Sequence, residues 1–205
     1  MVGFRSFREK YFQDNLENSL YRRLSSEGQT PKTLLIGCSD SRVDPAILTE
    51  AAPGELFIIR NVANLVPPFE NRPTGFHGIS SAIEFAVVNL KVENVIVLGH
   101  RQCGGIRALV QGGASGTFIS RWMTIAEPAV LKVKKENPSA EEPQLCRLTE
   151  MESIKVSLEN LKTFPFVQEA ISARSLNLLG VYFDLELGSL WEYDGLQNTF
   201  SEIKI

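Results

Sequence analysis

Five residues in two short segments have the types and spacing to do chemistry together. Cys38, Asp40 and Arg42 close an apolar run in LLIGCSDSRV, and His100 and Cys103 close another in VIVLGHRQCGG. Two thiolates and an imidazole suit zinc, and three protein ligands leave a fourth tetrahedral position open to water or substrate. Each residue alone has a plainer reading: a Cys after a buried strand is often a small core hydrophobe, and a lone His a hydrogen-bonded structural imidazole. Asp40 and Arg42 weigh against it, because charges seldom follow a buried strand closely unless they are paired or working. Two thiolates and a neutral imidazole cancel the charge of Zn²⁺, so such a metal acidifies its water less than an all-histidine site does. Asp40 can help select hydroxide by accepting its hydrogen bond, while Arg42 holds Asp40 ionised through a two-pronged ion pair. Asp40 also lies close enough in sequence to Cys38 to bind the metal itself, which makes its contact with Arg42 a candidate switch.

Both ligand segments begin where a strand ends, and open α/β sheets gather their ligands at the carboxyl ends of strands. Apolar runs of strand length cover 33–37, 56–59 and 95–98, and a helical segment over 79–90 sets Ile79, Ile83, Ala86, Val87 and Leu90 on one face. Strand, connection, strand, helix, strand predicts an α/β fold with a parallel sheet. Gly104, Gly105 and Ile106 open a helix running to Val110, which puts Cys103 at a helix start where free N–H groups favour its thiolate. Further helices are predicted over 118–137, interrupted at Pro128, and over 151–161, closed by Thr163, Phe164 and Pro165. Segments 176–185 and 190–193 predict a closing hairpin turning near Gly188. Ahead of the core, Phe4, Phe7, Tyr11, Phe12, Leu16, Leu20 and Leu24 recur at helical steps, predicting one amphipathic helix over 4–24. Its apolar face exceeds what a first helix buries at home, so part of it is expected to pack on a second subunit. The whole chain, 1–205, reads as a single domain, with a helical arm over 1–28 and a core over 29–205.

Composition narrows the function classes. A net charge of −3 and no Lys/Arg cluster long enough to hold phosphates give no footprint for nucleic acid, and no segment is long and apolar enough for a membrane or a signal peptide. The expected setting is therefore cytoplasmic. Three cysteines are too few for a disulfide framework and are expected to be reduced.

CSDSR followed by GHRQCGG, with PGELFIIRNVANLVPP between them, resembles the β-class carbonic anhydrases, and the similarity runs from the first helix to the final strands. GQTPK, NVANLVPPF, LCRLTEMESIKVSLENLKTFPFV and GVYFDLELGSL make it most similar to the plant-type branch. The resemblance implies a mostly parallel sheet with antiparallel edge strands and flanking helices, assembled as homodimers or multiples of dimers. It implies one Zn²⁺ per chain on Cys38, His100 and Cys103, with Asp40 and Arg42 as the catalytic dyad. The implied reaction is reversible hydration of CO₂ to bicarbonate and a proton by zinc-bound hydroxide. Gln29, Phe57, Val62, Phe85 and the backbone at Gly104 are implied to contact substrate or product.

The chain departs from its relatives in places. Phe85 stands where the branch usually has Tyr. A regulatory bicarbonate pocket of another branch would map onto Leu35, Arg60 and Phe85, so only its Arg remains and an open site is expected at neutral pH. Arg101 stands where the family commonly has a small residue, and a structural role is the favoured reading. His77, as the only other histidine, is a candidate proton shuttle, but an exposed loop histidine is the favoured reading. Cys146 reads as a thiol away from the metal. Competing functions are hydrolysis of carbonyl sulfide or carbon disulfide, a non-catalytic zinc protein, and, more weakly, a thiol redox role, since C-x-x-C spacing is missing.

Overall fold

The computed structural model describes residues 2–12, 19–72, 74–113 and 115–204. Four strands, β1 (Thr33–Cys38), β2 (Leu56–Asn61), β3 (Asn94–His100) and β4 (Asn177–Asp184), run parallel. β5 (Ser189–Asp194) and β6 (Thr199–Glu202) continue the sheet antiparallel, in the order β2-β1-β3-β4-β5-β6. The chain goes from β1 outward to β2, then returns to place β3 on the other side of β1. This reversal is a topological switch point, and it opens a crevice between the carboxyl ends of β1 and β3. Cys38 and His100 are the last residues of those two strands.

The central strands are apolar because both faces are covered: Leu34, Ile36, Val95 and Val97 are fully buried. The helices are α1 (Val2–Tyr11), α2 (Leu20–Glu27), α3 (Pro45–Thr49), α4 (Gly78–Glu84), α5 (Gly104–Val110), α6 (Thr117–Met123), α7 (Glu127–Glu136), α8 (Glu142–Leu161) and α9 (Pro165–Ser172). α8 lies directly on β3. A Cβ at Gly99 would stand 2.6 Å from Ile154 Cδ1, so glycine lets the helix approach beside His100. None of the described helices is long and apolar enough to cross a membrane.

Several predicted elements divide differently in space. The helix expected over 4–24 is two helices, because Ser19 accepts a hydrogen bond from Arg22 N–H and starts α2 afresh; Leu16 lies outside the described residues. Tyr21 folds back onto the rings of Phe7, Tyr11 and Phe12 at 5.3, 5.5 and 5.3 Å. No residue of α1 is buried, and Phe4 remains 66% exposed. The segment 79–90 begins as α4 and ends in a π turn over Phe85–Asn89, where Leu90 N–H reaches back to the Phe85 carbonyl. The stretch 118–137 is α6 and α7 joined by a 3₁₀ turn, with Pro128 in the first turn of α7. α8 begins nine residues before the predicted start, again with a proline, Pro143, in its first turn. α9 and β6 lie beyond the predicted elements. Pro165, read as a stop, also opens α9, since proline fits a helix start as well as it ends one.

Candidate metal centre

The loop after β1 is held from the neighbouring strand. Arg60 on β2 donates from Nε to the Cys38 carbonyl at 2.9 Å and from its two terminal nitrogens to the Asp40 carbonyl at 2.7 Å and Asp44 at 2.9 Å. Asp44 in turn caps α3, accepting from Ala46 N–H at 3.0 Å. The Arg mapped in sequence onto a regulatory pocket thus spends its whole fork on fixing the 38–44 segment.

Within that frame the donor atoms of Cys38, His100 and Cys103 all lie within 4.8 Å of one another, and all three residues are buried. Zinc bonds of about 2.0–2.3 Å let such a trio converge on one ion. His100 Nδ1 is 2.8 Å from the Arg101 carbonyl, so the proton sits on Nδ1 and Nε2 carries a lone pair. Nε2 is buried without a hydrogen-bond partner. An unsatisfied buried nitrogen is costly, and a carbonyl-oriented imidazole is how proteins present a metal ligand. The residues present therefore fit a zinc ion.

The backbone favours negative sulfur. Asp40 N–H lies 3.4 Å from Cys38 Sγ, and the N–H of Ala63 also reaches it. Cys103 is the N-cap of α5; its side chain forms no cap hydrogen bond, and the nearby backbone N–H groups of Ile106 and Gly105 favour its thiolate electrostatically. In the protein alone the two thiols share a hydrogen bond, so Cys38 is pushed down and Cys103 up. Burial lowers the His100 pKa, but the Cys38 thiolate outweighs it and the net shift is upward. A metal must displace these protons, so its affinity rises with pH.

Asp40 and Arg42 form a two-pronged pair, Nε to Oδ1 at 2.9 Å and a terminal nitrogen to Oδ2 at 2.7 Å. Asp40 Oδ2 is 4.0 Å from His100 Nε2, beside the ligand trio but turned to the arginine. The Arg42 hydrogen bond holds the Asp40 carboxyl well below the usual carboxylate range.

The carbonic anhydrase family pattern matches residues 33–190. The chain belongs to the carbonic anhydrase family. It is 36% identical over 199 residues to beta carbonic anhydrase 3 of Arabidopsis thaliana, covering 94% of this chain and 75% of that protein. Its fold superimposes on the β-carbonic anhydrase CcaA with a TM-score of 0.88 at 31% identity, covering 100% of this chain and 90% of that one. A tetrameric β-carbonic anhydrase from Sordaria macrospora gives a TM-score of 0.81 at 28% identity, covering 93% and 92% of the two chains.

One residue of this carbonic anhydrase fold escaped the sequence reading. Glu150, 2% exposed on α8, accepts from Cys103 N–H at 3.0 Å and from Tyr182 O–H at 2.9 Å. Burial raises its pKa to about 7, against the two hydrogen bonds that lower it. A signal existed: Thr149, Glu150, Ser153 and Ser157 recur at helical steps on the buried face of α8, and a polar stripe among core residues marks internal partners.

The other predicted residues divide into two groups. Val62 belongs with the ligand cluster: it follows β2 directly, and a Cβ on Gly105 would stand 2.9 Å from its Cγ1. Gly104 opens α5 with unobstructed space where a side chain would be. Phe57 pairs in register with Leu34, four residues before Cys38, which is about 13 Å along the strand. Phe85 packs on Phe57 at 5.9 Å, and Gln29 precedes β1 at the opposite end of the sheet. One chain therefore does not bring Gln29, Phe57 and Phe85 to its own cysteines. Arg101 is engaged by Asp184 at 3.0 Å and Glu186 at 2.8 Å. His77 sits ahead of α4, its Nε2 accepting from Gly75 N–H at 3.3 Å. Cys146 is a free thiol packed in the smaller apolar cluster behind the site, outside the ligand trio.

Proposed function

We propose that this chain catalyses the reversible hydration of CO₂ to bicarbonate and a proton at a zinc ion held by Cys38, His100 and Cys103. The observation that carries this reading is the bare, buried His100 Nε2 facing two cysteines while Arg42 holds Asp40 to one side. Three ligands with the fourth donor turned away make an open site, the arrangement of catalytic zinc. Bound there, zinc supplies the Lewis acidity that makes water a nucleophile at neutral pH.

The protein's own groups do the rest. Asp40 stays ionised, accepts the hydrogen bond of the attacking oxygen and orients its lone pair towards CO₂. Val62, 38% exposed, offers an apolar wall suited to CO₂. Gly104 is in the first turn of α5 with open space where a side chain would stand, and a first-turn N–H there suits a developing negative oxygen.

Gln29, Phe57 and Phe85 serve such a site from a second copy of the chain. The edge strand β2, the 3₁₀ turn that follows it and the nearby π turn leave Ile58, Val62, Phe85 and Val88 38–48% exposed, an apolar border of the kind that pairs with a partner. A homodimer, or a larger assembly built from dimers, covers it. A reducing cytoplasm suits the free thiols.

Replacing Cys103 with Ala tests the assignment. Zinc content by atomic absorption and CO₂ hydration should vanish together, with the fold retained by circular dichroism. Full activity in that variant would remove Cys103 from the metal and end this reading.

A further inference from the structure

The turn between the two ligands on β3 and α5 carries contacts that the reaction above leaves unused. Arg101 bridges two carboxylates, one terminal nitrogen 3.0 Å from Asp184 and the other 2.8 Å from Glu186. Asp184 is fully buried and fixes the turn after β4 by accepting from Glu186 N–H at 3.1 Å and Leu187 N–H at 3.3 Å. Glu186 is thereby held over the site loop, and its second oxygen accepts a hydrogen bond from Gln102 Nε2. The Gln102 Oε1 accepts from one terminal nitrogen of Arg42 at 3.4 Å, and the Gln102 carbonyl accepts from the other at 3.0 Å. The amide has one workable orientation: a guanidinium only donates and a carboxylate only accepts, so oxygen faces Arg42 and nitrogen faces Glu186. Gln102 has a φ of 58°, a left-handed conformation that a residue with a side chain keeps where its surroundings hold it.

We propose that Glu186 and Gln102 are positioning residues for the Asp40–Arg42 pair. Carboxylate, amide, guanidinium and carboxylate form one hydrogen-bonded line, Glu186 to Gln102 to Arg42 to Asp40. This line fixes the arginine so that Asp40 stays turned from the metal position. The inference rests on the function proposed above and concerns what keeps that site open. Without Gln102's side chain, Arg42 keeps only the carbonyl contact beyond Asp40, and the pair swings more freely towards the ligands. The Glu186 side chain is 43% exposed, so water competes and the expected loss sits at the low end for an outer hydrogen bond, about tenfold.

The test uses the zinc enzyme and its cobalt-substituted form, with Glu186→Ala, Gln102→Ala, the double variant, and Glu186→Ala in an Asp40→Asn background. Metal content, kcat/KM for CO₂ hydration and azide affinity from the cobalt spectrum are measured. Each single variant should retain full metal, lose about tenfold in kcat/KM and bind azide about tenfold more weakly, because Asp40 now competes for the open position. The double variant should be no worse than either single one, and Glu186→Ala should be silent once Asp40 is Asn. Unchanged azide affinity in Glu186→Ala, or an equal fractional loss with Asp40→Asn, overturns the proposal. A wild-type enzyme inactive on CO₂ defeats the proposed reaction instead, and the azide measurements still decide the positioning role.

Discussion

The case for His100 as a metal ligand rests on what its other nitrogen does: Nδ1–H is committed to the Arg101 carbonyl, and Nε2 is left bare against two sulfurs. The clustering of Cys38, His100 and Cys103 and the pairing of Asp40 with Arg42 were legible in sequence because each half is compact, Cys38 to Arg42 and His100 to Cys103, and strand ends in a parallel sheet converge. For Glu150 the sequence held only the polar stripe and not the partners, since its two bonds join residues 47 and 32 positions away. Arg101 was legible only as an anomaly, because its acceptors arrive from a turn more than eighty residues on. Glu150 makes its own pH signature. Its folded pKa of about 7 lies above the ordinary carboxylate value of 4.5, so between those two pH values the folded state holds more protons than the unfolded one. Stability from this group is therefore present below pH 4.5 and lost as pH rises through 7, a difference of about 3 kcal/mol. Glu150→Gln keeps an acceptor for Cys103 N–H, replaces the acceptor of Tyr182 O–H by an amide N–H that the phenol oxygen can accept, and removes the titrating proton, so it should flatten that part of the pH–stability curve in urea melts. A variant whose curve keeps the wild-type slope would show that Glu150 does not titrate there.

At the scale of elements, the site depends on the β1–β3 switch point and on α8 pressed against β3. The strands were legible from short runs of Val, Ile and Leu, which a sheet covered on both faces demands. The buried face of α8 was less so, because Thr149, Ser153 and Ser157 dilute its apolar stripe. β6 pairs only with β5 at the sheet edge and has a half-exposed face, so its apolar signal is thin. The break between α1 and α2 was hidden by helical periodicity that continues across it. Gly99→Val should force Ile154 off β3, lowering stability by about 1–3 kcal/mol and weakening metal retention through the displaced Glu150. Chemical denaturation and chelator challenge check both effects, and an unchanged midpoint would mean that α8 moves aside at no cost.

For the whole molecule, one chain holds the proposed metal ligands and dyad at one end of its sheet and three further predicted contact residues towards the other. The arm adds an unspent apolar surface, with Phe4 66% and Phe12 40% exposed. Phe4→Glu with Phe12→Glu should leave the fold intact but shift sedimentation towards smaller species; an unaltered oligomer would place the interface elsewhere. What sequence could not yield was which predicted contact residues lie near the cysteines of their own chain, since that follows from strand register rather than from motif. The most direct test of the central claim is stopped-flow CO₂ hydration with zinc stoichiometry, comparing the protein with Asp40→Asn. One zinc per chain in both, fast hydration in the first and a loss of most of the rate in the second are expected. Stoichiometric zinc with no hydration by the unaltered protein, or an undiminished rate in Asp40→Asn, would contradict the account.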